Sequence, residues 1–412
     1  MGKIIMSKRE SEQLLIFEKL KRKELTQKAA AAILGRSERQ VHEKAKRYNL
    51  DGPAGLVHRS RGIASLHKWP GDQEARAIEL LRGPFDGFGP TFAAEKLEEL
   101  HEIKVSSETL RKAMIRNGIW SNKTQRTKHR KRRERMLCRG VMVQLDGSPH
   151  DWFEGRGRWC TLLVFIDDAT SEILWLEFAE SESTSAVMRA TKNYVEAYGI
   201  PGSFYVDFGS VFSVNTNNPE HDKITQFKRA VQELGIRMIH ATSPQAKGRV
   251  ERANKTLQDR LVKELRLAGI STMEGANAFV KNGYLKNHNA QFAVKAAEPT
   301  DAHRALAGQR LDAIFCLKEE RVLMNDFTIT YNKRIFQLSK RQKTLLRPRE
   351  SIMVSEWLDG TIALAIRAIT LNFTELLSRP IKPQKDPVFR PFIYRKPAPT
   401  HPWRNRNIQP TQ

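Results

Sequence analysis

Three carboxylates, Asp146, Asp207 and Glu251, have the types and the sequence settings of a metal-dependent phosphoryl-transfer site. Asp146 closes the apolar run Val141-Met-Val-Gln-Leu-Asp146, Asp207 closes Ser203-Phe-Tyr-Val-Asp207, and Glu251 follows the polar helix opening Gln245-Ala-Lys-Gly-Arg-Val. Hard oxygen ligands suit Mg²⁺ or Mn²⁺, and two such ions about 3.5–4 Å apart can activate an attacking oxygen and stabilise a leaving one. Each acid also has a purely structural reading. Asp146 precedes Gly147-Ser-Pro and Asp207 precedes Phe208-Gly209, so both could initiate turns, and Glu251 could be a first-turn acid favoured by the helix dipole. Catalysis therefore depends on whether the surrounding elements bring the three together.

The pattern from Val141 is mixed α/β. Strands are expected at 141–146, Trp159–Asp167 and Ile173–Phe178, then a helix at Thr184–Tyr198, a strand at 203–207, a helix at Ile224–Leu234, a strand at Ile236–His240 and a helix from about Lys247. That is the element order of the ribonuclease-H-like fold, whose first and fourth strands lie side by side and parallel, which would bring Asp146 and Asp207 together. In the last helix Val250, Ala253, Leu257, Leu261 and Leu265 make one apolar face. Glu251 sits about 100° round from Val250, at the border of that face. Lys247, Arg249, Arg252 and Lys255 surround it, cations suited to a phosphate backbone. Asp167 and Asp168 fall at a hairpin and His240 at a strand end, where structural roles are expected; His150, Asp151 and Glu154 form a polar loop.

The remaining chain points to the substrate. With 412 residues the sequence is long enough for two to four domains at about 150 residues each. Its formal net charge of +24 and pI near 10.0 attract polyanions, nucleic acid first. No stretch reaches the roughly 18 apolar residues of a membrane span and no secretory segment is recognisable, so a cytoplasmic protein is expected, with no membrane partner. Cys138, Cys160 and Cys316 are too widely spaced for a disulfide framework or a zinc pattern.

Residues 8–62 read as a helix-turn-helix DNA-binding domain with helices at Ser11–Leu20, Thr26–Leu34 and Glu38–Tyr48. Thr26 and Ser37 serve as N-caps and Gly35 as a helix stop. The third helix would offer Arg39 and Gln40 to base edges and Arg47 to phosphate, against the plainer alternative of a three-helix bundle with a solvated face. Arg59-Ser-Arg-Gly62 is a short basic element suited to a minor groove or to a linker. Residues 63–120, with helices at Asp72–Leu81, Thr91–Leu100 and Ser107–Asn117, read as a second helical, helix-turn-helix-like domain, against the plainer alternative of a packing module. Residues 121–139 hold nine Lys/Arg against one acid, Glu134. We read 121–140 as a basic linker that tracks phosphates, Arg130, Lys131, Arg132 and Arg133 among its contacts. The catalytic core spans 141–300. Residues 312–375 alternate β-prone runs (Val322–Met324, Phe327–Tyr331, Ile335–Leu338, Ser351–Glu356, Ile362–Ile366) with hairpin residues, which predicts a small C-terminal β-barrel. The Pro- and Arg-rich segment 380–412 reads as a disordered basic tail.

Longer motifs carry a resemblance. Asp146-Gly-Ser-Pro-His-Asp-Trp-Phe-Glu-Gly-Arg-Gly157, Leu163-Val-Phe-Ile-Asp-Asp-Ala-Thr170 and Ser243-Pro-Gln-Ala-Lys-Gly-Arg-Val-Glu-Arg-Ala-Asn254 resemble the integrase-core DDE transposases of bacterial insertion sequences, most closely the group called ISNCY. The similarity runs from Leu25-Thr-Gln, through Leu34-Gly-Arg-Ser-Glu-Arg-Gln-Val41 and Asp51-Gly-Pro-Ala-Gly-Leu56, to the β-rich section near 370. It implies that Asp146, Asp207 and Glu251 are catalytic and hold two Mg²⁺ or Mn²⁺. It also implies binding of terminal inverted repeats, end cleavage and strand transfer into target double-stranded DNA, and a homo-oligomer that pairs two ends, nucleoid-associated when acting. The chain departs from the family at Phe208, where many integrase-core enzymes carry Asn between the second acid and a glycine and relatives in this group tend to carry other polar residues. The alternative is a catalytically inactive helix-turn-helix DNA-binding protein derived from such an enzyme; a nuclease that cuts without joining would not need two end-reading sections.

Overall fold

The computed structural model describes residues 6–58, 61, 69–121, 133–214, 224–241, 247–378 and 396–401. They fall in two compact units, Met1–Gln125 and Arg126–Gln412.

The first unit is helical. Helices α1 (Lys8–Lys21), α2 (Gln27–Leu34) and α3 (Glu38–Asp51) enclose Phe17, Ala30, Ala31, Val41, Tyr48 and Leu56. Thr26 Oγ1 accepts from the Ala29 amide at 3.2 Å and Ser37 Oγ from the Gln40 amide at 3.3 Å, so each helix starts at its capping residue. Gly35 closes α2 at φ +58°, a conformation open to glycine at little cost. Helices α4 (Gly71–Arg82), α5 (Pro90–His101) and α6 (Ser107–Arg116) follow, with Ala77, Leu81, Leu97, Leu110 and Met114 buried. Phe88 stacks between Phe85 and Phe92 at 5.1 and 5.0 Å and fills the bend between α4 and α5.

The second unit is built on a five-stranded mixed sheet. Its elements are β1 (Val143–His150), β2 (Cys160–Asp167), β3 (Ile173–Ala179), α7 (Thr184–Tyr198), β4 (Ser203–Val206), α8 (Gln226–Glu233), β5 (Arg237–His240) and α9 (Gly248–Leu267). The strand order is β3-β2-β1-β4-β5: β1, β2 and β3 run antiparallel, and β1 pairs parallel with β4, as expected from the element order. The sheet is buried on both faces. Val143, Leu145, Leu163 and Phe165 meet α7 and α8, while Leu162, Val164 and Ile166 meet α9 and α10 (Met273–Phe279). A turn of π-helix, Val280–Tyr284, joins α10 to α11 (Leu285–Phe292).

One boundary differs from the sequence reading in a way that matters for the site. Strand β1 does not stop at Asp146 but continues through Gly147-Ser-Pro to His150, paired with β2 as far as Cys160. Asp146 is a mid-strand residue, and the turn reading of Gly147-Ser-Pro fails because the β2 edge is there to receive it.

After α12 (Leu311–Ile314) the chain forms β6 (Cys316–Val322), β7 (Thr328–Tyr331), β8 (Arg334–Leu338), β9 (Ser351–Trp357), β10 (Ile362–Ile366), β11 (Ile369–Thr370) and β12 (Phe373–Leu376). The expected barrel is not formed. Among the described residues there are two sheets, β11-β10-β9-β6 and β12-β8-β7, that share a core of Leu323, Ile329, Phe336, Ile352, Val354 and Leu364. The chain crosses between them at 323–327, 339–350 and 371–372, and no strand is shared by the two sheets. The first strand of this section also begins earlier than the expected Val322–Met324, because Lys318-Glu-Glu-Arg321 conceals a strand that pairing with β9 defines.

This section docks on the sheet-bearing core: Leu311 and Phe315 enter that core, and Gln226 exchanges two hydrogen bonds with the Lys318 backbone. The end of the expected linker docks as well, with Arg139 bridging Glu172 at 2.7 Å and Asp301 at 2.5 Å. Residues 122–132 of the linker and 380–395 and 402–412 of the expected tail lie outside the described residues. Among the described residues no helix is long and apolar enough to cross a membrane.

Candidate active site

Asp146 and Asp207 lie at the same level of adjacent parallel strands. Val143 pairs with Phe204 and Gln144 with Tyr205, so the register carried forward sets Asp146 against Asp207, the residue just beyond β4. Both carboxylates face one ammonium: Lys247 Nζ is 2.6 Å from Asp146 Oδ1 and 3.9 Å from Asp207 Oδ2. Lys247 is almost fully buried, its side chain only 6% exposed, against 51% for Asp207. Burial pushes the Asp146 carboxyl above the usual range and Lys247 opposes the shift. Asp207 is held by its own loop, since the Gly209 amide donates to its Oδ1 at 2.8 Å. The missing hydrogen-bonding side chain at Phe208 is thus not needed to orient the second acid.

A third carboxylate, which the sequence reading missed, stands nearby. Glu182, in the turn between β3 and α7, is pushed up to about 7, by burial first and by the charges of Asp146 and Asp207 next. Gly147 makes room for it: a Cβ there would lie 2.6 Å from the Glu182 carboxyl carbon. The Ser181-Glu-Ser183 stretch carries no motif of its own, and only the mid-strand placement of Gly147 reveals its neighbour.

Glu251 is not gathered with the other two. It lies in the first turn of α9 and is exposed, and among the described residues no group of three or more His, Cys, Asp or Glu is placed to hold a metal. The residue of α9 that does reach Asp146 is Asn254, whose Nδ2 donates to Asp146 Oδ2 at 2.8 Å. Its amide oxygen is buried without a partner. Glu251 precedes Asn254 by three residues, hence on a neighbouring part of the helix surface. Asp146 and Asp207 offer the hard oxygens that suit a divalent cation, and the Lys247 ammonium, which faces both, would compete with such an ion for them.

The start of α9 is fixed by Asp168. This wholly buried carboxylate accepts from Gln144 Nε2 at 2.7 Å, Arg249 Nη1 at 2.7 Å, the Met136 amide at 3.0 Å and Arg133. Gln144 in turn accepts from the Val250 amide at 3.2 Å. Asp167 is structural in the ordinary sense, accepting from Gly140 and twice from Thr170 at the hairpin.

The cations expected to touch DNA divide accordingly. Lys247, Arg249 and Arg133 are engaged by carboxylates, and Arg133 also lies over the Tyr205 ring at 5.3 Å. Arg252 and Lys255 are exposed on α9, and Arg252 Nε donates to the Gly248 carbonyl. Arg130, Lys131 and Arg132 lie outside the described residues. In the first unit Arg39 is exposed and Arg47 half-buried, while the Gln40 side chain is turned back to accept from the Ser37 amide at 3.4 Å, completing a capping box. Of the basic element 59–62 only Arg61 is described, and it pairs with Glu10 at 2.6 Å.

Comparison with known proteins adds three findings. Residues 12–62 match a family described as a helix-turn-helix domain. Over 347 residues the chain is 40% identical to the "Putative transposase y4bF" of Sinorhizobium fredii, covering 84% of this chain and 76% of the relative; over 447 residues it is 28% identical to the transposase for insertion sequence IS1202 of Streptococcus pneumoniae, covering 96% and 93%. Among solved structures, the HTLV-2 integrase catalytic core domain in complex with magnesium is matched over 40% of this chain and 94% of its own, at 18% identity and a TM-score of 0.29.

Proposed function

Because the chain belongs to the transposases of bacterial insertion sequences, we propose that it binds the terminal inverted repeats of its element, cleaves the DNA at those ends and joins the freed 3′-hydroxyls to target DNA. The observation that carries the chemical part is the convergence of Asp146 and Asp207 on one ammonium at the same level of the adjacent parallel strands β1 and β4. Asp146, Asp207 and Glu251 are the proposed ligands of two Mg²⁺ or Mn²⁺ ions, within a ribonuclease-H-like core, and the motifs favour the ISNCY group. When bound, such ions polarise the scissile phosphate and lower the barrier for the attacking and leaving oxygens.

The residues of the chain supply placement. Asn254 orients one oxygen of Asp146, the Gly209 amide orients Asp207, and Lys247 offsets part of the pair's negative charge before cation and phosphate arrive. In cleavage a water oxygen attacks phosphorus and the bond to the 3′-oxygen breaks, leaving a 3′-hydroxyl and a 5′-phosphate. In joining that hydroxyl attacks a target phosphodiester and displaces the target's 3′-oxygen, so the number of phosphodiester bonds is conserved. Residues 8–62 and 63–120 would read the ends, 121–140 would track phosphates, and 312–375 would support assembly or target contacts. Pairing two ends calls for a homo-oligomer acting in the cytoplasm on nucleoid DNA.

A second reading, a DNA-binding descendant without catalysis, is favoured by one observation: Glu251 is exposed and apart from Asp146 and Asp207. One assay separates the two. Protein is incubated with a duplex of the element end, a plasmid and Mg²⁺; joined product supports the transposase, and binding without nicks or joints overturns it.

A further inference from the structure

Phe208 and His240 form a stacked pair beside Asp207, with ring centroids 5.1 Å apart and planes 18° from parallel. Phe208 remains 57% exposed although the imidazole lies against it. The pair is anchored to the second acid from two directions. Phe208 follows Asp207 directly in sequence, and His240, the last residue of β5, has Nδ1 3.0 Å from the Asp207 carbonyl oxygen. A flat, rigidly backed aromatic surface therefore sits next to a carboxylate proposed to act on phosphodiesters.

We propose that Phe208, backed by His240, is a stacking platform for an unpaired nucleobase adjacent to the reacting phosphate, so that the DNA end is held splayed rather than fully paired. The inference rests on the transposase reading above. Within a duplex the base faces are covered by their neighbours; a ring face becomes available only when a base leaves the stack, and aromatic side chains receive such bases with little regard to sequence. A side chain with this role needs exposure, support for its ring and a place beside the reacting acids; Phe208 is exposed, stacked on His240 and next to Asp207.

The test compares two fluorescent duplexes, one ending in three unpaired 3′ nucleotides and one carrying abasic sites at those three positions, with Ca²⁺ replacing Mg²⁺. We expect the wild-type protein to prefer the base-bearing end by roughly fivefold or more. Phe208→Ala and Phe208→Leu should bring the ratio to about one, Phe208→Tyr should keep it and His240→Ala should lower it. A ratio of one in the wild type, or a ratio that survives Phe208→Ala, overturns the proposal. So does a change of oligomeric state in Phe208→Ala with the ratio intact, which would make the ring a subunit contact. Wild-type nicking of element ends in Mg²⁺ is measured in parallel: nicking with a ratio of one sinks only the platform, and a base preference without nicking or joining sinks only the transposase reading.

Discussion

Asn254 donates a 2.8 Å hydrogen bond to Asp146, and this contact is the middle rung of three that join α9 to β1. Below it the Val250 amide meets Gln144 Oε1, and above it Gln258 Nε2 meets Ser148 Oγ. Two residues along a strand advance about 6.7 Å. Four along a helix advance about 6 Å. Positions 144, 146 and 148 can therefore face 250, 254 and 258 in step, and the polar face of β1 is satisfied by one helix running alongside it. Glu251 lies on that helix, one residue past the first rung.

The position of Glu251 makes its role testable without disturbing the rungs. It is exposed, so Glu251→Gln should leave the fold and end binding intact. If Glu251 completes the metal site, loss of its charge removes at least about 3 kcal/mol of transition-state stabilisation, a hundredfold or greater fall in Mg²⁺-dependent nicking and joining. A variant that still joins strands at the wild-type rate would remove Glu251 from the site.

Asp168 should prove a determinant of stability. Asp168→Ala leaves Arg249, whose side chain is only 9% exposed, without its carboxylate and also frees Gln144 and the Met136 amide. Removing one partner of a buried pair costs about 3–5 kcal/mol. A denaturant midpoint within error of wild type would mean that the start of α9 does not depend on Asp168.

The sequence revealed the mixed sheet because its signals are local. A continuous apolar run marks β2, caps fix α2, α3 and α7, and the Val250 to Leu265 stripe marks the buried side of α9. What escaped depends on partners distant in the chain. Gly147-Ser-Pro has turn chemistry, but β2 holds it in a strand; Lys318-Glu-Glu-Arg321 has no apolar alternation, but β9 pairs it. The same limit applies to the site. The level of Asp146 and Asp207 followed from strand order, whereas Glu182 beside Gly147, Gln40 folded into its own cap and Asp168 gripping Arg249 are contacts that no spacing announces.

His288 gives the fold a pH dependence. Burial, with a smaller contribution from Arg260, lowers it from 6.5 to about 4. The folded protein thus holds His288 neutral where the unfolded chain binds a proton. The associated stability is present above pH 6.5 and is lost as pH falls toward 4, by up to about 3 kcal/mol. His288→Phe, among Tyr284 and Phe292, should flatten this part of the stability curve. Parallel curves for the two proteins between pH 7 and 4 would show that the histidine is protonated in the fold.

Lys247 is the most direct probe of whether the acids are built for a cation. Its ammonium lies between Asp146 and Asp207 and is nearly buried, so Lys247→Met leaves two carboxylates facing each other across an apolar chain. Without divalent ions the variant should melt below wild type by an amount equivalent to about 1–3 kcal/mol, because a buried charge has lost its partner. Mg²⁺ or Mn²⁺ that binds only the folded state stabilises by mass action, and it no longer competes with the ammonium. Millimolar Mg²⁺ should therefore raise the melting temperature of Lys247→Met more than that of wild type. Equal shifts in the two proteins would place the cation elsewhere, and the absence of a shift in either would remove Asp146 and Asp207 as its ligands.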